Sequence, residues 1–243
     1  MSPHEPSQTP SRITLQALVA ELRSRCEAIT RFQGGSTYYH EELVIFRQVA
    51  EEQNLFLQEV PYQLTLSPDD EGNEHQVWFQ QHSQRYLKAT WPDFFGLLVI
   101  HRPNEEHKAS PIAYLERWVL HNELFGDDVR FIGVLADHAN LRLLIEQPAI
   151  AGTPATDEEI QRFFTSTGWQ RFVIDGNIAY FDPQKQVVIS DTHRGNIILM
   201  DDGLLAPIDL RVQPITGSLL DTVIKLCQLS LSSNPPSNSD KLT

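Results

Sequence analysis

Two cysteines in 243 residues, Cys26 and Cys227, cannot build a disulfide framework or a multi-thiolate metal centre. They stand far apart in apolar, helix-like contexts with no CxxC pair or Cys/His cluster beside them, so both read as buried thiols of a reducing compartment. Long apolar runs are missing too. No stretch approaches the roughly 18 residues of a membrane span. The polar, proline-rich opening MSPHEPSQTPSR lacks the apolar segment of a secretion signal. The expectation is a cytoplasmic protein with no membrane partner. Basic residues are also scarce: 19 Lys and Arg stand against 32 Asp and Glu, a formal net charge of −13. So little basic surface excludes a protein that grips nucleic acid by bulk phosphate neutralisation. It does not exclude a local basic pocket for a nucleotide.

What is present is an ordinary globular balance, 41% hydrophobic and 21% charged, in a chain long enough for one large domain or two small lobes. Apolar residues at helical spacing predict helices over residues 13–29 and 40–57, with GGS at 34–36 between them. YQLTL at 62–66 alternates like a strand, SPDDEGNE is turn chemistry, and HQVWFQ and RYLKAT read as a strand pair. PIAYLERWVLHNELFG at 111–126 is a helix stopped by Gly126. VRFIGVLA and LRLLIEQ pair across DHAN, and Thr156 with Glu159 forms a capping box. More strand pairs and a last helix near GSLLDTVIKLCQL follow. Mixed α+β fits this order better than a regular βαβ alternation.

The stretch VISDTHRGNIILMDDGLLAPIDL, residues 188–210, carries the chemistry. VVIS and IILM are apolar strands separated by the polar turn DTHRGN. DDG is a hairpin turn whose glycine supplies positive φ, and LLAPID returns. Antiparallel pairing then brings Asn196 and Asp209 to one end of a ribbon, with Asp191 five residues earlier on the loop that feeds it. Carboxylate and amide oxygens together suit a hard cation such as Mg²⁺, which binds through few protein ligands and substrate phosphates.

These residues resemble the catalytic core of the protein-kinase-like fold. SDTHRGN followed by PIDL is closest to the loop style of aminoglycoside phosphotransferases. YLERWVLHNELFGDD and EQPAIAGTPATDEEI are similar to the polyvalent protein kinase domain family of phage- and plasmid-borne proteins, over roughly residues 72–213. The resemblance implies Asp191 as the catalytic carboxylate, and Asn196 and Asp209 as ligands of Mg²⁺ on the phosphates of ATP. It makes Lys88 the lysine on the α- and β-phosphates, and Glu116 its helix partner, with Glu123 as alternative. Gly72 and His75 fall in the phosphate-covering turn. The backbone at 146–148 becomes the adenine hinge, with its donor from Gln147 or Ala149, since Pro148 has no N–H. His193 braces the loop.

The implied fold is a reduced protein-kinase-like, two-lobed α+β fold with an N-terminal helical extension. Its expected parts are tails at 1–12 and 230–243, the extension at 13–60, a strand-rich small lobe at 61–148 and a reduced C-lobe at 149–229. The implied activity is ATP-dependent transfer of the γ-phosphoryl group to a protein or small-molecule hydroxyl. The alternative is a catalytically impaired pseudokinase or nucleotide-binding regulatory module. It is motivated by the acids around Gly72 (Asp69, Asp70, Glu71 and Glu74) and by the short segment after Asp209. A third reading, a metal-dependent hydrolase on Asp191, His193 and Asp209, needs a further nitrogen ligand. Two departures from the kinase pattern stand out: no arginine precedes Asp191, and Arg211 follows IDL where protein kinases carry glycine. QGGST at 33–37 is a rival glycine loop, read here as a linker.

Overall fold

The computed structural model describes residues 13–33, 39–102, 107–137 and 140–233. Both expected tails up to residue 12 and from 234, and the glycines of QGGST, lie outside these. The chain divides into two compact units. One comprises Met1–Leu97 and Lys108–Ala149, the other Leu98–His107 and Ile150–Thr243. Among the described residues no helix is long and apolar enough to cross a membrane.

The first unit sets three helices against one antiparallel sheet. The helices are α1 (Leu15–Gln33), α2 (Tyr39–Glu52) and α3 (Pro111–Phe125). The sheet holds β1 (Asp70–Glu71), β2 (His75–Gln80), β3 (Arg85–Thr90), β4 (Arg130–Asp137) and β5 (Asn140–Pro148) in the order β1-β2-β3-β5-β4. α3 begins where Ser110 accepts the Ala113 amide at 3.2 Å and Pro111 needs no donor. It ends at Gly126, as its sequence predicts. One core unites Leu18 and Leu22 of α1, Phe46 and Val49 of α2, Leu115 and Trp118 of α3, and Val134, Leu143 and Ile145 of the sheet. The two N-terminal helices are therefore built into this core.

Two local expectations need correction. The second helix stops at Glu52 instead of running to residue 57. Asn54 adopts a left-handed φ of 52°, and Leu55 and Leu57 then bond the backbone of Val134 along β4. YQLTL is a 3₁₀ turn over Tyr62–Thr65, not a strand. Its bonds close locally, Leu64 N to Pro61 O at 2.9 Å and Thr65 Oγ1 to Tyr62 O at 2.6 Å, while Leu64 packs against the Trp78–Leu87 cluster. Alternation there reflects one partly buried leucine rather than a pleat.

The second unit contains β6 (Thr153–Pro154), α4 (Asp157–Ser166), β7 (Gln170–Ile174), β8 (Asn177–Asp182) and β9 (Val187–Ser190). β10 (Ile197–Leu199), β11 (Leu205–Pro207), β12 (Arg211–Pro214) and α5 (Gly217–Ser233) complete it. The strands form two antiparallel sheets, β12-β9-β8-β7 and β11-β10-β6. The Thr156–Glu159 capping box forms as expected. α5 continues through Ser233, so residues 230–233 are helical where a tail was expected. Phe172, Phe181 and Val188 pack with Val99 and Ile100 from the Leu98–His107 segment and with Val223 and Cys227 of α5. Both cysteines are free thiols. Burial pushes each up to about 11, with the nearby Glu42 adding to the shift at Cys26.

Candidate active site

The 188–210 stretch folds as its pattern predicts. β10 and β11 pair in the register Ile197↔Pro207 through Leu199↔Leu205, and the DDG turn closes with Gly203 at φ 83°. Asn196 sits just before β10 and Asp209 two residues past β11. The amide of Asn196 ties the ends together: its Nδ2 donates to the Asp191 carbonyl at 3.0 Å and to the Asp209 carbonyl at 3.0 Å. Two carbonyl acceptors assign the amide nitrogen to that side and leave Oδ1 as its remaining ligand atom.

Asp191 is held in an unusual conformation. Its φ is 63°, in the left-handed region that aspartate tolerates better than most residues. β12 pairs with β9 so that Arg211 faces Ser190, and the Arg211 guanidinium lies 3.9 Å from the Asp191 carboxylate. On the other side His193 Nδ1 accepts the Gly195 amide at 3.0 Å, which fixes the ring proton on Nε2. That Nε2 stands 3.5 Å from Asp191 Oδ1. A Cβ on Gly195 would meet the His193 ring at 3.0 Å, so glycine makes room for the brace. Among the described residues no group of three or more His, Cys, Asp or Glu side chains is arranged to hold a metal ion by themselves. The oxygen atoms at Asn196 and Asp209 instead suit a cation that completes its shell with water and phosphate.

In the first unit, Lys88 is buried in the middle of β3, in register with Val77 and Ile145. Its Nζ lies 5.3 Å from the centroid of the Trp118 ring on α3. His75, at the start of β2, is buried on the same helix: its Nε2 is 2.9 Å from the Tyr114 hydroxyl. Lys88 and His75 thus both face α3.

A model of the family described as serine/threonine/tyrosine kinase found in polyvalent proteins matches residues 39–214. The chain belongs to this family. Its match begins at α2, some thirty residues before the stretch over which the resemblance is visible by eye. Membership brings kinase-type phosphotransfer and nucleotide binding as the general activity class. Comparison with curated proteins and with solved structures finds no match.

In this member of the polyvalent-protein kinase family, several expected residues stand elsewhere than their sequence suggests. Glu116 does not pair with Lys88. α3 turns it to Arg23 of α1, because residues 116 and 118 lie some 200° apart around a helix and Trp118 is the one that faces β3. His75 belongs to a strand, with its ring turned to α3 rather than into the turn. Gly72 N donates to His75 O at 2.9 Å and its carbonyl accepts Trp91 Nε1 at 3.1 Å, a closed hairpin. The acids of that hairpin are engaged: Asp69 accepts the Phe79 amide, Asp70 that of Glu71, and Glu71 the Gln76 side chain. At the expected hinge, the Ala149 amide donates to Gln84 O at 2.9 Å. The Gln147 side chain donates to Asp127 at 2.6 Å, so any contact it makes with a base comes from its backbone. Burial acts to raise the Asp127 carboxyl, but the His121 ring and the Gln147 amide outweigh it and hold it below the usual range.

Reading the sequence alone missed Arg211 as a neighbour of Asp191. The signal was its position, the first residue after IDL, which becomes the end of a strand paired with the one that delivers Asp191. It also missed the buried pair of Glu74 with Arg117. No local pattern distinguishes Glu74 from the other acids of its turn.

Proposed function

We propose that the chain is an ATP-dependent kinase of reduced protein-kinase-like fold that phosphorylates a hydroxyl on a protein or small molecule. The observation that carries this reading is the Asn196 amide, which binds the backbone of Asp191 and Asp209 and so keeps three oxygen-bearing side chains at one end of the β10–β11 ribbon. Asp191 orients the acceptor hydroxyl and takes its proton as the oxygen attacks the γ-phosphorus and ADP leaves. Arg211 and His193 hold the Asp191 carboxylate in place from two sides. Asn196 Oδ1 and the Asp209 carboxylate are the ligands for Mg²⁺, which when bound neutralises charge on the phosphates. Lys88 binds the α- and β-phosphates, and the backbone at 146–148 meets the adenine edge.

The first test is calorimetry of ATP binding with and without Mg²⁺, on the parent chain and on folded Asp209→Asn. The expected result is binding that requires Mg²⁺ and weakens about ten-fold or more in the variant. Undiminished binding in the variant would remove Asp209 from the metal site, and no binding by the folded parent would remove the active-kinase reading. A second reading, nucleotide binding without turnover, draws on the acids that flank Gly72. It predicts normal binding in the same experiment and no phosphorylated product.

A further inference from the structure

β7 is the edge strand of its sheet, and beside it runs a cleft that the phosphotransfer reading leaves unused. The cleft holds about 470 Å³ between Gln161 and Thr165 of α4, Trp169 and Arg171 at β7, and Cys227 of α5. All of these belong to the second unit. In a chain of formal net charge −13, no acidic residue lines this cleft, and a half-buried arginine does.

Arg171 is placed by its register. It lies opposite Tyr180 on β8, so the two side chains share one face of the sheet. That face meets α4, because Tyr180 packs on Phe164 with ring centroids 4.6 Å apart. Arg171 hydrogen-bonds the Tyr180 hydroxyl. Among the described residues no carboxylate forms an ion pair with Arg171, and its Nε is buried without a hydrogen-bond partner. Asp157, one turn ahead of Gln161 on α4, acts on Tyr180 by its charge but makes no ion pair with Arg171. A guanidinium cannot shed its proton, and a partly desolvated one with only a hydroxyl beside it lacks a counter-charge. The backbone adds a donor. Asp175 and Gly176, with φ of 49° and 78°, close the β7–β8 hairpin as a two-residue turn. Ile174, Phe172 and Gln170 then exchange hydrogen bonds with β8, and Arg171 turns its own N–H to the open edge. We propose that this cleft binds a small ligand by an oxyanion, a carboxylate or a phosphate monoester. Arg171 supplies the charge, its N–H and the Gln161 amide supply neutral donors, and the body of the ligand lies along Trp169. The planar guanidinium suits either oxyanion. The site is independent of the nucleotide and of the 188–210 ribbon.

The test titrates the full chain with benzoate, phenyl phosphate and, as an uncharged control, benzyl alcohol. NMR follows the arginine Nε–H and tryptophan indole N–H signals, with those of Arg171 and Trp169 assigned by substitution. At least one of the two anions is expected to shift the Arg171 signal with a dissociation constant of about 1 mM or tighter, while benzyl alcohol leaves it in place. The tighter anion tells carboxylate from phosphate. Arg171→Gln is expected to weaken that binding roughly ten-fold or more, read on the Trp169 indole. Thr165 is exposed on α4, so Thr165→Trp fills the cleft from the surface. It is expected to abolish the Arg171 shift with the melting temperature unchanged, which keeps the test open should Arg171→Gln not fold. No shift with either anion, an equal response to benzyl alcohol, or undiminished binding in folded Arg171→Gln or Thr165→Trp would each overturn the proposal.

Discussion

A single amide organises the acidic end of the β10–β11 ribbon. Asn196 makes two hydrogen bonds, to the backbone carbonyls of Asp191 and Asp209. Asn196→Ala should therefore cost about 1–3 kcal/mol in urea-induced unfolding, the sum of two ordinary net hydrogen bonds. Asn196→Asp keeps an oxygen ligand but turns a carboxylate against two carbonyls, so it should be at least as destabilising, with phosphotransfer lost in both. A variant that keeps parental stability would show that the carbonyls find other partners. At this scale the sequence was most legible where residues act through short separations. Asp191, Asn196 and Asp209 fall within nineteen positions, and a hairpin geometry joins them. Glu74 and Arg117 meet only through the packing of α3 on the sheet. No spacing rule connects a turn and a helix separated by other elements.

Elements were legible where a terminus or turn carried a chemical signal. α3 has Ser110 and Gly126, α4 has its capping box, and the DDG turn has Gly203. Each formed where its pattern put it. YQLTL had alternation but no partner in sequence, and the second helix had periodicity without a stop signal, so both were misjudged. The most instructive element is α1. It precedes the family match, yet Leu18 and Leu22 are fully buried in the core shared with α3, and Arg23 pairs with Glu116. Leu18→Ala or Leu22→Ala should each lower unfolding free energy by about 2–5 kcal/mol, the usual cost of emptying a buried leucine site. A change below about 0.5 kcal/mol in thermal or urea melts would mean that α1 only rests on the unit.

The whole molecule departs from a simple succession of lobes. The first unit gives way to the second at the step from Ala149 to Ile150, but the chain also enters the second unit earlier, at Leu98, and leaves it after His107. That excursion is bonded in place. Gln213 Oε1 accepts the Val99 and Ile100 amides at 2.8 and 3.0 Å, and its Nε2 donates to the Ile100 carbonyl at 2.9 Å. Sequence reading had no access to this, because one glutamine serves a segment more than a hundred positions away. A fragment of residues 150–243 should accordingly lack a cooperative near-ultraviolet melt, and joining residues 98–107 to it through a flexible linker should restore one. A sharp melt in the bare fragment would show the excursion to be dispensable.

The same feature sets a schedule during synthesis. Val99 and Ile100 leave the ribosome 113 or more positions ahead of Gln213, an interval on the order of ten seconds at ordinary elongation rates. For that time an apolar segment waits without its core and with its amides unmatched by Gln213. Nascent chains stalled before Gln213 are the species on which a chaperone would have most to hold.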